Sequence, residues 1–413
     1  MEFDLHTKDK FAALRIADYR RFIAARFFFT IATQMQYVIV GWQIYQLTHD
    51  ALSLGLTGIF EAVPFIGLAL FAGHVADRVD RKLIIILSVS VYVICAIILL
   101  LISTQFHSLL TMYGSFPIYI IIFVTGLARG FLSPAQSAFS AQIVPRELFG
   151  NASTWNSTIW QTGAISGPAI GGLIYGFLGV GWAYIFVFFF ALMSFLFFIS
   201  IKKKPMPPQT EEENIWQSLS TGLKFVFGNQ IILSAISLDM FAVFFGGAVS
   251  VLPIFADDIL HTGAQGLGLL RAAPAIGAII MSGVLFYYPP FKTAGRNLLI
   301  AVFGFGISII LFALSKNFYL TFILLVISGM FDNVSVIIRS TVMQVYTPDS
   351  MRGRVSSVNG IFIGSSNELG SFESGFAAKI MGLVPSVIFG GSMTLGVVAA
   401  VRKLSPKLRG LKL

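Results

Sequence analysis

The chain is 413 residues long, and 56% of its residues are hydrophobic whereas only 11% are charged. A soluble domain carries roughly 25% charged residues, so this composition excludes a water-soluble globular protein and predicts that lipid surrounds most of the chain. The formal net charge is +9. Because Lys and Arg collect in the cytoplasmic loops of membrane proteins, this positive charge requires no nucleic-acid partner.

Long apolar segments recur along the whole chain. A membrane-spanning helix needs about 20 mostly apolar residues, and these segments predict an all-α membrane protein with twelve transmembrane helices. Their continuous apolar runs exclude a β-barrel, whose strands are short and alternate apolar with polar residues. The predicted spans are 22–47, 54–76, 83–104, 117–142, 151–176, 180–201, 230–255, 264–287, 297–315, 318–346, 354–378 and 384–401.

Basic residues mark one set of loop ends. Of the 28 Lys and Arg residues, 22 lie in the two terminal segments or in the loops on the same side of the predicted spans as the termini. The positive-inside rule therefore predicts an even number of spans with both termini in the cytoplasm. We expect a multi-pass protein of a bacterial inner membrane.

A polar stretch divides the chain in the middle. It begins with three Lys, three Pro and three Glu, and it continues as an amphipathic segment, which predicts a helix at the membrane surface. The predicted domains are a cytoplasmic segment with a surface helix at 1–21, a six-helix bundle at 22–201, the linker and its amphipathic helix at 202–229, a second six-helix bundle at 230–403 and a cytoplasmic tail at 404–413.

The two predicted bundles repeat one another. Parallel repeats of this kind are typical of transporters in which two halves rock around a central site. The repeat therefore predicts a transporter made of two pseudo-symmetric six-helix bundles. A shift of 203 residues brings Gly126, Gly150, Ser153, Asn156, Gly167 and Gly172 onto Gly329, Gly353, Ser356, Asn359, Gly370 and Gly375, and a shift of 210 brings Pro64, Gly67, Gly73 and Lys82 onto Pro274, Gly277, Gly283 and Lys292.

The loop between spans 2 and 3 has glycine, acidic and basic residues at regular spacing: Gly73, Asp77, Arg78, Arg81 and Lys82. Glycine permits close helix approach, the acid can cap a helix N-terminus, and the bases can join the two halves. The spacing resembles the loop motif G-x-x-x-D-R-x-x-R-K of the major facilitator superfamily. The resemblance implies a cytoplasmic latch that stabilises the outward-open state, and the alternative is simple anchoring by positive charge.

Span 5 carries four glycines and a proline at close spacing: Gly163, Gly167, Pro168, Gly171 and Gly172. Small residues allow tight packing between membrane helices, and proline bends a helix. The pattern resembles the antiporter motif G-x-x-x-G-P-x-x-G-G of the same superfamily, which implies export. The alternative is a packing face with no bearing on the direction of transport.

Two segments of the second half narrow the resemblance. Residues 347–354 and 366–375, together with Ala25 and Arg26, resemble the bacterial branch of the superfamily that contains the enterobactin exporter and macrolide-efflux-like proteins. These segments also contain the candidate residues of a second-half gate, which are Arg352, Arg354, Glu368 and Glu373.

Charged residues inside the predicted spans are the strongest indicators of function, because each is costly there unless it is paired or hydrated. The repeat places opposite charges at equivalent positions, Arg129 with Asp332 and Glu61 with Arg271, which predicts ion pairs or a polar network across the halves. The resemblance implies that spans 1, 4, 7 and 10 line a central cavity. The cations are Arg26, Arg129, Arg271 and Arg339, and the acids in spans 2, 7 and 10 are Glu61, Asp239 and Asp332.

Three acids are candidates for proton coupling: Asp239, Asp332 and Glu61. The proton affinity of a buried carboxylate changes when a nearby arginine moves away. The hypothesis is that Asp239 or Asp332 takes up and releases a proton during transport. The alternative is a fixed structural ion pair.

The sequence has no phosphate-binding loop and no metal-ligand spacing, so we expect no cofactor and no enzymatic activity. We expect a monomeric, proton-coupled exporter of a small organic molecule, such as a siderophore or an amphiphilic drug-like compound. Its partners are then the substrate, protons and the lipid bilayer. The alternatives are a lipid or lysophospholipid flippase, a solute importer and a membrane receptor that does not transport.

Overall fold

The structure is a computed structural model, and it describes residues 9–205, 215–348 and 351–412. It does not describe the side chains of residues 69, 70, 73, 74, 77, 215–219, 352, 353 and 357. Within the described ranges the chain is helical and contains no β-strand. The fold is therefore an all-α fold, as predicted.

The described residues of the first half, 9–205, form seven α-helices. They are α1 (Ala17–Thr48), α2 (Ala51–Arg78), α3 (Arg81–Thr104), the short α4 (His107–Tyr113), α5 (Phe116–Ile143), α6 (Phe149–Leu178) and α7 (Val180–Ser200).

In the second half, the described residues 215–348 and 351–412 form nine α-helices. They are α8 (Ile215–Gly228), α9 (Gln230–Gly246), the single turn α10 (Leu252–Ile254), α11 (Gly263–Tyr287), α12 (Ala294–Leu314), α13 (Phe318–Tyr346), α14 (Arg352–Met381), α15 (Leu383–Leu404) and the single turn α16 (Pro406–Arg409). A π-helical turn, Phe255–Ile259, continues α10.

Ten helical segments of the described chain are long and apolar enough to cross a membrane. The other two predicted spans, 151–176 and 354–378, coincide with α6 and α14, which are 30 residues long each. Their Gly, Ser, Thr and Asn residues lower their hydropathy without interrupting the helix. Together these segments give the twelve long helices of the predicted membrane fold.

Two glycine turns reproduce the internal repeat in the backbone. Gly179 separates α6 from α7 with φ of 85°, and Gly382 separates α14 from α15 with φ of 89°. Residues with a Cβ rarely adopt this left-handed conformation, whereas glycine does so at little cost. The two glycines are 203 residues apart, so the repeat in the sequence fixes equivalent helix ends.

The described chain packs as two units. The first comprises residues up to 43 and 63–211, and the second comprises residues 44–62 and 212–413. The core of the first unit is aromatic at its centre, because the ring of Phe22 packs against the rings of Tyr19, Phe139 and Phe198. All four side chains are fully buried.

This core also decides where α1 begins. Where a surface helix was predicted within residues 1–21, the described residues 9–21 contain a 3-10 turn at Ala13–Arg15 and the start of α1 at Ala17. The reason is that Tyr19 and Phe22 are buried in the core and Tyr19 donates a hydrogen bond to the Ala152 carbonyl at 2.8 Å. These residues therefore extend the first long helix.

The second unit has an aliphatic core between α9, α12 and α13, to which Leu408 and Leu411 of the C-terminal segment contribute. The amphipathic segment forms α8, and its buried Val226 packs with Val355 and Val358 of α14. Residues 206–214 of the predicted linker lie outside the described residues.

Residues 44–62 include the end of α1 and the start of α2, and they pack with the second unit. The Tyr45 hydroxyl donates to the Asp258 carboxylate at 2.6 Å, and the Lys379 ammonium lies 2.5 Å from the Asp50 carboxylate. Packing and the sequence repeat therefore divide the chain at different residues.

Candidate functional site

The glycines of the span 5 motif form a contact face on α6. Gly163, Gly167 and Gly171 recur every four residues, so they lie on one side of the helix. A Cβ atom on them would lie 2.6 Å from Thr30 Cγ2, 2.6 Å from Gln34 Cβ and 3.1 Å from Met35 Cα, respectively. The backbone of α6 therefore packs directly on α1, which is the contact that small residues permit.

The other two motif residues complete this buried face. Pro168 and Gly172 are both buried, and Pro168 lies inside the helix, where it removes one backbone hydrogen bond. In the second unit the equivalent of Gly167 is Gly370, whose Cβ would lie 2.8 Å from the Phe244 carbonyl oxygen on α9. Both units therefore use a glycine to bring equivalent helices together.

The loop motif between α2 and α3 is anchored to helix ends of its own unit. Asp80 caps α3 by accepting a hydrogen bond from the Lys82 backbone N–H at 3.0 Å. The Lys82 ammonium donates to the carbonyls of Ile199 at 2.9 Å and Ile201 at 2.5 Å. A cation at the C-terminus of α7 is stabilised by the helix dipole.

The guanidinium of Arg81 makes similar contacts. Its Nε donates to the Ala76 carbonyl at 3.0 Å and its Nη1 to the Ala138 carbonyl at 3.3 Å, near the ends of α2 and α5. Arg78 is exposed. Gly73 and Asp77 lie outside the residues whose side chains the structure describes, so a latch between the halves stays a prediction.

Arg26 and Arg129 of the first unit each contact a neutral polar side chain and an aromatic ring. Arg26 is half-buried on α1; its Nη1 donates to Asn156 Oδ1 on α6 at 3.0 Å, and its guanidinium lies 5.9 Å from the Phe22 ring centroid. Asn156 in turn donates to the Ser140 hydroxyl on α5 at 3.5 Å. This chain of contacts holds Arg26 between three helices.

Arg129 on α5 has a similar environment. Its guanidinium lies 4.9 Å from the Phe65 ring centroid, and its Nη1 donates to the Tyr37 hydroxyl at 3.2 Å. A guanidinium over an aromatic ring is attracted by the electrons of the ring face. Arg129 and its aromatic neighbours therefore form a cationic site with a planar apolar wall.

The second unit contains a buried ion pair. Asp239 on α9 and Arg339 on α13 are in direct contact, and their residues are only 4% and 6% exposed. Removing either partner would leave the other charge without compensation in the protein interior, which is strongly unfavourable. The pair joins two predicted cavity-lining spans within one unit.

A second acid lies beside this pair. Asp332 and Asp239 line the same small cavity, which is completed by Ser335 and by apolar side chains of α9, α12 and α13. Within the described chain the Asp332 carboxylate makes no hydrogen bond or ion pair. The structure therefore brings together three of the predicted charged residues, which are Asp239, Asp332 and Arg339.

The remaining predicted residues lie elsewhere. Glu61 is 5% exposed and belongs to the segment 44–62, while Arg271 on α11 is half-buried. On α14, Glu368 and Glu373 are half-buried, and Gly58 packs against the Glu368 carbonyl.

The basic residues of the predicted second-half gate are described only in part. The Nη1 of Arg354 lies 3.6 Å from Met351 Sδ. Arg352 lies outside the residues whose side chains the structure describes. Among the described residues no group of three or more His, Cys, Asp or Glu could hold a metal ion.

Sequence reasoning missed Ser335, which lines the acid cavity. The signal was present, because Ser335 lies three residues after Asp332 and four before Arg339, and residues at these spacings share one face of a helix. The contact between Tyr45 and Asp258 was also missed. Those two residues are 213 positions apart, and no local pattern connects them.

The twelve long helical segments define an all-α membrane protein, and comparison with known proteins gives its class. The profile of the Major Facilitator Superfamily matches residues 22–371. The chain belongs to this superfamily.

Several curated relatives carry the name enterobactin exporter EntS. The protein of that name from Shigella dysenteriae serotype 1 is 29% identical over 349 residues, which cover 82% of this chain and 80% of the relative. The protein of the same name from Escherichia coli O81 is 30% identical over 349 residues, which again cover 82% of this chain and 80% of the relative. The chain therefore resembles the exporter branch that its motifs indicate.

Solved structures show the same fold at low sequence identity. A POT family transporter in complex with 5-aminolevulinic acid has a TM-score of 0.75 at 13% identity, covering 94% of this chain and 96% of that one. A D-xylose-proton symporter has a TM-score of 0.73 at 14% identity, covering 97% and 100%.

Proposed function

We propose that this protein is a secondary active transporter that exports a small organic molecule by alternating access, in exchange for protons. The observation that carries the proposal is the acid cavity of the second unit, where Asp239 is paired with Arg339 and Asp332 lies beside them. Ionisable residues inside a membrane are costly, and they commonly mark proton pathways.

Protons suit this cavity because its charge can change without a large rearrangement. Binding of a proton to one carboxylate weakens its attraction to Arg339, and movement of the arginine changes the proton affinity of the carboxylate. A transporter can use this reciprocal effect to link proton movement to a change of conformation. Asp239 and Asp332 are the proposed proton carriers, and Glu61 is the third candidate.

The proposed cargo is an anionic or amphiphilic aromatic solute of the siderophore class. The relatives that match this chain are named as exporters of enterobactin. Arg26 and Arg129, each next to an aromatic ring, offer both positive charge and a planar apolar contact. An arginine of this kind binds carboxylate or phenolate oxygens and stacks on aromatic groups.

The orientation and the gates are part of the same proposal. The basic loop ends support a bacterial inner-membrane protein with both termini in the cytoplasm. The latch residues are then Gly73, Asp77, Arg78, Arg81 and Lys82, and the second-half gate contains Arg352, Arg354, Glu368 and Glu373. The proposed transporting unit is a monomer, because the repeat already supplies two halves.

Purified full-length protein in liposomes tests the proposal. With enterobactin as the probe and an imposed pH gradient, we expect accumulation that a protonophore abolishes and that is lost in the double variant Asp239→Asn/Asp332→Asn. Exchange of labelled for unlabelled enterobactin at equal pH checks that the variant still binds its cargo. Transport that ignores the pH gradient would contradict proton coupling, and movement of a fluorescent lysophospholipid without enterobactin transport would favour a lipid transporter.

A further inference from the structure

The acid cavity of the second unit contains a hydroxyl group that the ion pair does not use. Ser335 on α13 is 2% exposed, and its Oγ is fully buried without a hydrogen-bond partner. Buried polar groups are almost always hydrogen-bonded, so a buried hydroxyl without a partner calls for an explanation. This one lines the cavity that contains Asp239 and Asp332.

Other serines of the same helix behave differently. Ser328 donates to the Leu325 carbonyl at 2.7 Å, and Ser340 donates to the Ile337 carbonyl at 2.9 Å. This bond to the preceding turn is the usual solution for a serine inside a helix. At Ser335 the bond is absent and the hydroxyl is available to groups in the cavity.

The two acids in the cavity are not equivalent. Asp239 is neutralised by Arg339, whereas Asp332 makes no hydrogen bond or ion pair within the described chain. Among the elements packed against α13, α9 contributes Asp239 and α11 carries Arg271, which does not line the cavity. The other charged residues are Arg296 of α12 and Lys292 of the preceding turn, and both are exposed.

The cavity has room for about one water molecule. A buried water needs two to four polar partners, and the cavity offers two carboxylates and one hydroxyl. While both carboxylates are ionised, Ser335 is the side chain of this cavity that can both donate and accept a hydrogen bond, because an ionised carboxylate only accepts.

We propose that Asp332 is the group that loads the proton and that Ser335, directly or through one water, relays it to Asp239. This inference rests on the proposed proton coupling and names its path. In the relay step the Asp332 O–H bond breaks and the Ser335 oxygen accepts that proton, while the Ser335 O–H proton passes to Asp239. Negative charge moves from Asp239 to Asp332, and the neutral Asp239 releases Arg339.

This path gives the ion pair a role in conformational change. While Asp239 is ionised, Arg339 holds α9 and α13 together. Once the proton arrives, the two helices lose their charged contact and can separate. The negative charge then resides on Asp332, seven residues before Arg339 on the same face of α13, where the released arginine can meet it.

The first test needs no cargo. The infrared absorption of protonated carboxyl groups is recorded for the full chain in liposomes through a pH titration. The other carboxyl groups of the chain titrate in every variant, so spectra of the variants are subtracted from that of the unvaried protein. We expect the difference for Asp332→Asn to contain the band of one titrating carboxyl group and the difference for Ser328→Ala to contain none. A difference spectrum for Asp332→Asn without this band overturns the assignment of the loading group, provided that the variant keeps its elution profile and melting temperature.

The second test addresses the relay. A pH dye inside the liposomes follows proton movement coupled to enterobactin, and exchange at equal pH is measured in parallel. We expect Ser335→Ala to slow the coupled proton flux by about tenfold, the effect of one hydrogen bond, with unchanged exchange. Ser335→Thr keeps the hydroxyl and should restore the flux, while Ser328→Ala is the matched control. Equal proton flux in Ser335→Ala and the unvaried protein overturns the relay.

The two tests separate this inference from the proposed function. If the unvaried protein transports enterobactin without moving protons, proton coupling is wrong and the relay fails with it. If it moves protons and Asp332→Asn does so equally well, proton coupling stands and the assignment of Asp332 is overturned.

Discussion

The two units share a helical frame but differ in the charges they carry inside it. In the first unit, Arg26 and Arg129 are held by Asn156, Tyr37 and aromatic rings. In the second unit, Asp239 and Asp332 line one cavity, and Asp239 is paired with Arg339. Equivalent glycine turns at 179 and 382 show that the backbone repeat persists where the side-chain chemistry has diverged. A repeat therefore predicts the frame and does not predict the site.

This difference supports a division of labour between the units. A cation next to an aromatic ring suits the binding of an anionic aromatic cargo, whereas carboxylates next to one arginine suit proton exchange. Under the function proposed above, the first unit would recognise cargo and the second would handle protons.

The largest expected effect comes from breaking the buried pair of the second unit. Arg339→Leu leaves the Asp239 carboxylate buried without compensation, so we expect a loss of about 3–5 kcal/mol in the free energy of unfolding. Thermal and chemical unfolding of the purified protein measure it. Asp239→Leu/Arg339→Leu should recover most of this stability, and Arg296→Leu, at an exposed position, is the control. Equal losses of stability in the single and the double variant would show that the cost does not come from an unpaired Asp239 carboxylate.

A smaller effect is expected at the glycine face of the first unit. Gly167→Ala places a Cβ 2.6 Å from Gln34 Cβ and 3.1 Å from the Ile31 carbonyl oxygen. Because α6 and α1 must then move apart, we expect a loss of about 1–3 kcal/mol. Gly150→Ala on the same helix meets no atom within 4 Å, so its stability should stay equal or rise. A neutral result for Gly167→Ala in the same unfolding assay would contradict the close contact.

The helices and the glycine face could be predicted from the sequence, whereas the buried ion pair could not. Hydropathy and the repeat predicted twelve helices, because each span must bury its own backbone polar groups in lipid. The glycine face of α6 could also be predicted from the sequence, because the motif glycines recur at helical spacing. The pairing of Asp239 with Arg339 was not predictable, since the partners are 100 residues apart and their meeting depends on how α9 and α13 pack.

Ser335 was a different kind of omission. Its spacing from Asp332 and Arg339 placed it on the same helix face, but a serine in a membrane helix usually bonds to its own backbone. Only the structure shows that this hydroxyl has no such bond. The grouping of residues 44–62 with the second unit is likewise a property of packing, because the sequence repeat assigns them to the first half.

This grouping is open to a direct test at Tyr45. Tyr45→Phe removes the hydroxyl that donates to the Asp258 carboxylate at 2.6 Å. A hydrogen bond to a charged group predicts a loss of about 1.5 kcal/mol in the free energy of unfolding. Tyr319→Phe, at a residue that is 75% exposed, is the matched control and should be neutral. If the two variants unfold alike, Tyr45 does not help to join residues 44–62 to the second unit.

The smallest effect is expected at the ion pair between Asp50 and Lys379, whose side chains are 23% and 58% exposed. Burial alone would raise the pKa of Asp50, but the hydrogen bonds from Lys379 and Ser53 and the charge of Lys379 lower that pKa below its ordinary range. Because the pKa of Asp50 is lowered in the folded state, the pair stabilises the protein at pH values above the ordinary pKa of an aspartate. This stabilisation is lost as the pH falls through the lowered pKa. An exposed pair contributes about 0–1 kcal/mol at neutral pH.

Asp50→Asn should therefore cost at most about 1 kcal/mol near pH 7, and the cost should vanish in acid and shrink in high salt. The charge-swapped variant Asp50→Lys/Lys379→Asp should recover part of the stability, whereas Lys316→Met, at an exposed lysine outside the pair, should change nothing. Unfolding at pH 7 and in acid, each at low and high salt, measures these differences. A cost that is the same at every pH would show that Asp50 acts through the hydrogen bonds that it accepts from Ser53 rather than through charge. The segment 44–62 would then be joined to the second unit by neutral contacts alone, and the electrostatic contrast between the units would be confined to their buried sites.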